Sequence, residues 1–214
     1  MGITALVMAG GKATRMKDPQ EKAILQVDGK PMIRLVIDAL KKASLVDRIV
    51  VAVTEATRHT KEIVSALGVE VIETSGEGYE QDMQQAIRSL GLKDVVVVAA
   101  DLPFLTPGRV DDAIRNYLSA GKPALMVAAP VELYEKSGLE ASYTFDYEGR
   151  KLVAVGLNVI DGTRIDEGRL DETVLVIKDR DLIFNVNTQT DLKLARSRRE
   201  QSSPENDRNT LRYK

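Results

Sequence analysis

The stretch that decides the fold is ITALVMAGGKATRM, residues 3–16. Residues 3–8 form an apolar run, which is typical of a strand buried on both faces. The run stops at a glycine pair, Gly10 and Gly11. Glycines at such a place let the backbone turn tightly and bring its amides close to a ligand. The stretch therefore predicts a buried strand whose C-terminal end leads into a tight loop.

Positive charge surrounds this loop. Lys12, Arg15 and Lys22 follow the glycines, and no carboxylate precedes Asp18. Successive backbone amides of such a turn form a concave site for anions. The loop and its cations together indicate a cradle for a polyphosphate. An ordinary strand-to-helix turn with solvated basic residues remains the alternative at this point.

Two common phosphate-binding motifs are absent. A P-loop requires Gly-x-x-x-x-Gly-Lys-Ser/Thr, but Ala13 follows Lys12 and Leu6 stands five positions before Gly11. A dinucleotide-binding fingerprint requires Gly-x-Gly-x-x-Gly, and no third glycine follows at that distance.

Composition excludes several classes of protein. The chain has 214 residues, of which 43% are hydrophobic and 29% charged, as in a globular protein. Its formal net charge of −2 argues against a general nucleic-acid binder. Without cysteine there is no disulfide, thiolate chemistry or cysteine-based zinc site. Neither a signal-peptide pattern nor an apolar run of membrane-spanning length occurs, so we expect a cytoplasmic protein.

The rest of the chain alternates between strand and helix patterns. Strands are predicted at 3–8, 48–53, 69–72, 94–100, 124–129, 173–177 and 182–186, and helices at 31–44, 57–67, 79–90, 106–120 and 188–198. This alternation predicts an α/β fold of Rossmann-like type, with a mostly parallel central sheet and helices on both faces. We expect one domain over residues 1–198. Within it, a small β-hairpin insertion (143–160, in the segment 131–168) faces the acceptor, and residues 199–214 are disordered.

Asp101 follows the most apolar strand, and ligands of open α/β sheets bind at the carboxyl ends of strands. A carboxylate there suits Mg²⁺, which binds oxygen donors and nucleotide phosphates together. The amide oxygen of Asn187 is a second suitable ligand, with Asn185 a lesser candidate. The alternatives are that Asp101 caps the turn before Pro103 and that Asn187 or Thr188 caps the last helix.

A third candidate site is the glycine-containing loop Thr74-Ser75-Gly76-Glu77-Gly78-Tyr79, together with Asp82. A loop at a strand's end that opens a helix can present backbone donors and acceptors to a base or a ribose. A turn without any ligand would also require one of its glycines.

These motifs resemble those of the MobA-like nucleotidyltransferase family. Ala-Gly-Gly-x-x-x-Arg-Met followed by a lysine matches residues 9–16 and Lys22, and Asn-x-Asn-Thr-x-x-Asp-Leu matches residues 185–192. The sequence departs from the family at Ala13, which is often glycine. With the loop at 74–79, the resemblance extends to archaeal-type adenosylcobinamide-phosphate guanylyltransferases and covers most of residues 3–196.

The resemblance implies transfer of GMP from GTP to adenosylcobinamide phosphate, with release of pyrophosphate and with Mg²⁺ as cofactor. It implies catalytic roles for Arg15, Lys22 and Asp101, and metal ligation by Asp101 and Asn187. Nucleotide-binding residues are then expected at Met8, Ala9, Gly10, Gly11, Lys12, Thr14, Arg15, Lys22, Thr74, Ser75, Gly76, Gly78 and Asp82. Acceptor-side candidates are Gly156, Asn158, Tyr143, Phe145 and Tyr147, although core packing is the favoured role for the aromatic residues.

The single histidine, His59, is expected on a helix surface. Its lack of a role fits the chemistry, because an acceptor phosphate is already an anionic nucleophile and needs no general base. Two alternative functions stay open. One is the same chemistry on molybdopterin, phospholactate or a sugar phosphate; the other is a nucleotide-binding module without catalysis.

Overall fold

The computed structural model describes residues 2–11, residue 16 and residues 20–202, with side chains to residue 198. The strands are β1 (Ile3–Met8), β2 (Gln26–Val27), β3 (Lys30–Pro31), β4 (Val46–Val53), β5 (Glu70–Glu73), β6 (Asp94–Ala99), β7 (Ala124–Pro130), β8 (Thr144–Tyr147), β9 (Arg150–Asp161) and β10 (Glu172–Val176). The helices are α1 (Met32–Leu40), α2 (Arg58–Ala66), α3 (Tyr79–Leu90), α4 (Pro107–Ala120), α5 (Val131–Ser137) and α6 (Gln189–Ser202). Short 3-10 turns lie at Lys22–Ile24, Glu55–Thr57 and Gly162–Arg164.

Eight strands form the main sheet, in the order β10-β7-β9-β6-β1-β4-β5, with β8 paired to β9. Neighbouring strands are parallel at β1–β4, β1–β6, β4–β5 and β10–β7. Strand β9 runs antiparallel to β6 and β7, between which it lies. The predicted fold class, a mostly parallel α/β sheet with a hairpin, is confirmed.

The two faces of the sheet can be followed from β1. Ala5 and Val7 pack into the larger apolar cluster, which contains residues of α1, α2, α4, α5 and α6. Leu6 and Met8 belong to the second cluster, beneath α3. Successive side chains of a strand point to opposite faces, so an unbroken apolar run is required where both faces are covered.

The predicted hairpin is present as β8 and β9, but its second strand is also a strand of the main sheet. Val153, Val155 and Leu157 of β9 are buried in the larger cluster. Tyr143, for which core packing was favoured, is instead 67% exposed. Phe145 and Tyr147 are only partly buried, so the prediction that these aromatics fill the core is wrong.

Element predictions hold closely for β1, α3 and β10 and fail at residues 182–186 and at α5. The strand predicted at 182–186 is absent; the segment forms a turn, with the Phe184 amide donating to the Asp181 carbonyl at 3.1 Å. Helix α5 was not predicted. Helix α6 continues to Ser202, four residues beyond the predicted end at Arg198. Of the predicted disordered tail, residues 203–214 lie outside the described residues.

Asp111 ties α4 to the start of β4. Its carboxylate accepts hydrogen bonds from the Ser44 amide (3.1 Å), the Ser44 hydroxyl (2.5 Å) and the Leu45 amide (2.9 Å). Burial raises the pKa of Asp111, but these hydrogen bonds more than offset burial and leave the pKa below its usual value. A depressed folded-state pKa stabilises the protein above the unfolded pKa, and this contribution is lost as the pH falls through the folded-state value.

We expect Asp111→Asn to lower the free energy of unfolding by about 1–3 kcal/mol at pH 7. The difference from wild type should shrink once the pH falls below about 3.9, the usual pKa of an aspartate. Urea denaturation at pH 7 and at a pH below about 3.9 measures this difference in the free energy of unfolding. Asp112→Asn, on a half-exposed neighbour of the same helix, is the control and should cost less than about 0.5 kcal/mol. An equal loss for Asp111→Asn at both pH values would contradict the assignment.

Candidate active site

The candidate residues lie where several chain segments meet at the carboxyl ends of the parallel strands. The Ala9 amide after β1 donates to the Ala52 carbonyl of β4 at 2.8 Å. The Ala100 amide after β6 donates to the Met8 carbonyl at 3.2 Å, and the Val186 amide donates to the Asp101 carbonyl at 3.1 Å. These backbone bonds hold the glycine loop, the turn at Asp101 and the segment before α6 at one edge of the sheet.

Gly10 is required for close packing against Thr54, the residue that follows β4. The Thr54 hydroxyl donates to the Gly10 carbonyl at 3.1 Å. A Cβ at Gly10 would lie 2.6 Å from Thr54 Cγ2, which is too close for any real contact. A Cβ at Gly11 would meet nothing within 4 Å, so the second glycine faces open space. Lys12, Thr14 and Arg15, predicted to bind phosphate, lie outside the described residues.

Lys22 joins the two predicted metal ligands. Its ammonium forms an ion pair with Asp101 Oδ2 and donates to Asn187 Oδ1 at 2.8 Å. The Lys22 and Asp101 side chains are 19% and 12% exposed, so this cluster is shielded but reachable from solvent. The structure thus brings together three residues that are far apart in the sequence, as predicted.

Asn187 and Thr188 have separate roles. The sequence left open which of them caps the last helix. Asp191 Oδ2 accepts from the Asn187 and Thr188 amides at 3.0 and 2.8 Å, and Thr188 Oγ1 accepts from the Asp191 amide at 3.1 Å. This reciprocal pair caps α6. The Asn187 side chain is therefore not needed as the cap and turns to Lys22.

Asn185 was underestimated by the sequence analysis. Its Oδ1 accepts from Asn187 Nδ2 at 2.6 Å, which orients the Asn187 amide so that Oδ1 faces the Lys22 ammonium. The turn after Ile183 produces this arrangement, because the chain there is not extended and the two asparagines can meet.

A divalent cation fits the donor set at this site. Asp101 Oδ1 is buried and has no hydrogen-bond partner within residues 2–11, 16 and 20–202. Asp101 Oδ2 and Asn187 Oδ1 already converge on one cation, the Lys22 ammonium. In the described part of the chain no three His, Cys, Asp or Glu residues could together hold a metal. Mg²⁺ needs only one or two protein ligands when substrate phosphates supply others.

The loop from Thr74 to Gly78 is built as predicted and shares Thr54 with the glycine loop. The Thr74 amide donates to the Val53 carbonyl at 2.8 Å, and a Cβ at Gly76 would lie 3.5 Å from Thr54 Cγ2. Gly76 and Gly78 both have positive φ, 77° and 143°. Thr54, not noticed in the sequence, lies between the two loops.

Side chains of α3 also accept hydrogen bonds from backbone amides of this loop. Asp82 Oδ1 accepts from the Gly76 amide at 2.8 Å, and Gln85 Oε1 accepts from the Ser75 amide at 2.9 Å. Asp82 is only 6% exposed, so its described contact supports the loop. Tyr79, the first residue of α3, is 47% exposed.

The two acceptor-side candidates lie on β9. Gly156 has a φ of 87°, and a Cβ there would lie 3.0 Å from Ala99 Cβ and 3.2 Å from Asn185 Nδ2. Asn158 is paired with Val97 and Met126, and its Oδ1 is buried without a partner in the described part of the chain. Gly156 therefore adjoins the asparagine network. Acceptor binding by either residue stays a prediction.

A cavity of about 420 Å³ lies elsewhere, between α4 and β10. Its lining includes Val127, Leu175 and the ion pair between Arg109 and Asp179, in which Nε and Oδ2 are 2.7 Å apart. None of the predicted site residues lines it, so the chemistry is assigned to the Lys22 cluster. No helix among the described residues is both long and apolar enough to cross a membrane.

Known proteins resemble this chain over most of its length. A family model described as a MobA-like NTP transferase domain matches residues 5–154. An adenosylcobinamide-phosphate guanylyltransferase of Methanocaldococcus jannaschii is 35% identical, over 90% of this chain and 95% of that protein. A "probable molybdenum cofactor guanylyltransferase" of Pyrococcus horikoshii is 29% identical, over 91% and 99%.

Solved structures share the fold. A molybdopterin-guanine dinucleotide biosynthesis protein A from Archaeoglobus fulgidus superposes with a TM-score of 0.66 at 21% identity, covering 93% of this chain and 100% of that one.

Gly10→Ala should lower the free energy of unfolding by about 1–3 kcal/mol, because the new methyl collides with Thr54 Cγ2. Thr54→Ser removes Cγ2 and keeps the hydroxyl, so the double variant should recover most of this loss in urea denaturation. Gly11→Ala is the control, and we expect it to change stability by less than about 0.5 kcal/mol. Equal stabilities of the two alanine variants would show that Gly10 is not packed as described.

Proposed function

The chain belongs to the MobA-like NTP transferase family, and from that premise we propose that it transfers GMP from GTP to adenosylcobinamide phosphate. As a family member it is a nucleotidyltransferase. The two relatives compared above are both guanylyltransferases by name, which supports GTP as the donor. The higher identity, 35%, belongs to the relative named for adenosylcobinamide phosphate, which supports that acceptor.

The observation that carries the proposal is the convergence of Lys22, Asp101 and Asn187 at the carboxyl edge of the sheet. In the reaction, an acceptor phosphate oxygen forms a bond to the α-phosphorus of GTP while the bond from that phosphorus to the bridging oxygen breaks, releasing pyrophosphate. Such transfers depend on positioning and on neutralising phosphate charge. Lys22 supplies a positive charge beside Asp101 for this purpose.

Asp101 and Asn187 would hold Mg²⁺ in this proposal. A bound Mg²⁺ neutralises charge on the nucleotide phosphates as pyrophosphate departs. Asp101 contributes the anionic oxygen and Asn187 the neutral amide oxygen, whose direction is fixed by Asn185. Lys22 pairs with both side chains in the structure, and its ammonium would serve the nucleotide phosphates if Asp101 and Asn187 held the metal.

A general base is not part of the mechanism. The acceptor is a phosphate monoester whose oxygens are already anionic. His59, the single histidine, has a side chain 73% exposed, and its ring Nδ1 lies 2.9 Å from Glu21 Oε1. The loop at Thr74–Gly78, held by Asp82, is the proposed reader of guanine. A cytoplasmic location remains part of the proposal.

The substrate assignment is tested by pyrophosphate release from each of the four NTPs with Mg²⁺, with and without adenosylcobinamide phosphate. We expect release only with GTP and this acceptor present together. Molybdopterin is the control acceptor, because the Pyrococcus horikoshii relative is named for the molybdenum cofactor. Release with molybdopterin alone would move the proposal to that acceptor, and equal use of all four NTPs would reject guanylyl transfer.

Lys22→Ala and Asp101→Ala should each lower kcat by about 10²-fold or more, the usual cost of removing one group that stabilises transition-state charge. Steady-state kinetics measure this, and thermal unfolding checks that each variant is folded. Lys61→Ala, which removes an exposed ion pair with Glu73, is the matched control and should leave kcat unchanged. Unchanged turnover in both site variants would refute the proposed roles.

Chelation of divalent cations should abolish pyrophosphate release, and added Mg²⁺ should restore it. Asn187→Ala should raise the Mg²⁺ concentration needed for half-maximal rate, because one of two protein ligands is lost. We expect a shift of about 10-fold, typical of changes at a metal site. A variant with unchanged Mg²⁺ dependence would remove Asn187 from the ligand set.

A further inference from the structure

Glu21, the residue before Lys22, is a largely shielded carboxylate that the mechanism does not use. Its side chain is only 11% exposed. Oε2 accepts from the Thr60 amide at 2.7 Å and from the Thr60 hydroxyl at 2.6 Å. Oε1 accepts from the His59 amide at 2.9 Å and lies 2.9 Å from His59 Nδ1. The carboxylate therefore has partners at both oxygens.

These partners lie in the first turn of α2, whose amides have no partners inside the helix. Thr57, the residue before α2, makes no side-chain capping bond there. Glu21 thus caps α2 from 38 positions earlier in the chain, and its negative charge suits the positive end of the helix dipole. Burial raises the pKa of Glu21, but hydrogen bonds from Thr60 and His59 bring it below the usual value, so the group is ionised.

The side chains of residues 21 and 22 reach to opposite sides. Glu21 binds α2, whereas Lys22 reaches Asp101 and Asn187. The following residues Ala23 and Leu25 are buried in the larger apolar cluster. The backbone at Lys22 is therefore held on its N-terminal side by the Glu21 carboxylate and on its C-terminal side by core packing.

We propose that Glu21 is a positioning residue that holds the Lys22 ammonium at the phosphate-binding edge of the sheet by anchoring the chain to the N-terminus of α2. The inference rests on the proposed function in that Lys22 serves the phosphates of the nucleotide. Nothing in it depends on which acceptor is used.

The rival explanation is that Glu21 serves only the stability of α2. The two roles differ in what happens when Lys22 is absent. If Glu21 acts through Lys22, changing Glu21 has no further effect on the nucleotide once the Lys22 ammonium is removed. The effects of the two substitutions are then coupled rather than additive. A residue that serves only stability changes activity by the same factor in either background.

The experiment is a double-mutant cycle of Glu21→Gln and Lys22→Met, read out as kcat/KM for GTP and as GTP affinity by calorimetry. We expect Glu21→Gln alone to lower kcat/KM by about 10- to 100-fold, because a displacement of about 1 Å at a reacting group can cost that much. In the Lys22→Met background, Glu21→Gln should change either quantity by less than about 2-fold. The ammonium that Glu21 positions is then already absent.

Two further variants keep the test decisive. Glu55→Gln neutralises a carboxylate 82% exposed and paired with Arg58 near the same helix end, and it should leave both readouts unchanged. Thr60→Val removes one hydrogen bond to Glu21 from the α2 side, and it should lower kcat/KM in the same direction by a smaller factor. If Glu21→Gln does not fold, Thr60→Val takes its place in the double-mutant cycle with Lys22→Met.

Wild-type turnover by folded Glu21→Gln would overturn the proposal, as would equal losses with and without Lys22. Failure of the proposed function gives a different result. In that case wild type itself releases no pyrophosphate with adenosylcobinamide phosphate, while the cycle on GTP affinity still reports on Glu21.

Discussion

Strands β1 and β6 are covered on both faces, and the positions of the functional side chains follow from that constraint. Their interior holds only apolar side chains, such as Leu6, Val7 and Val96. A charged group cannot be accommodated there without a large desolvation cost. The charged groups of the site therefore lie outside the buried parts of these strands, with Asp101 two positions after the end of β6. Backbone bonds among the strand ends then hold these groups at one edge, where an anionic substrate can reach them.

Much of this arrangement could be predicted from the sequence because it depends on local patterns. The apolar run before Gly10 and the strand before Asp101 fix the two strand ends, and parallel pairing brings such ends to the same edge. The position of Asp101 at that edge follows from this rule, whereas Lys22 and Asn187 follow no strand directly and reach Asp101 from the 3-10 turn at Lys22–Ile24 and from the segment before α6. Gly10 was recognisable as a close contact, but the identity of its neighbour was not, because Thr54 lies 44 positions away and meets it only through the register of β1 with β4.

Other features depend on competition that a pattern does not reveal. Leu182, Ile183 and Phe184 form a short apolar run with the composition of a strand, and all three are indeed buried. Asp179 decides the conformation instead, since its carboxylate accepts from the amides of Asp181 and Leu182 and turns the chain. The same turn allows Asn185 to meet Asn187. Glu21 was likewise invisible as an anchor, because its partners belong to a helix 38 positions further on.

Strand β9 runs antiparallel to β6, so the middle of β9, at Gly156, lies beside the carboxyl end of β6 at Ala99. Register with β6 is fixed further along, from Leu157 opposite Val98 to Asp161 opposite Asp94. The β8–β9 turn at Glu148 and Gly149 projects beyond that anchored portion. Residues can thus be added to or removed from the hairpin without shifting the strand beside Asp101. In the proposed function this hairpin faces the acceptor, so its length can change while the residues assigned to the nucleotide stay in place.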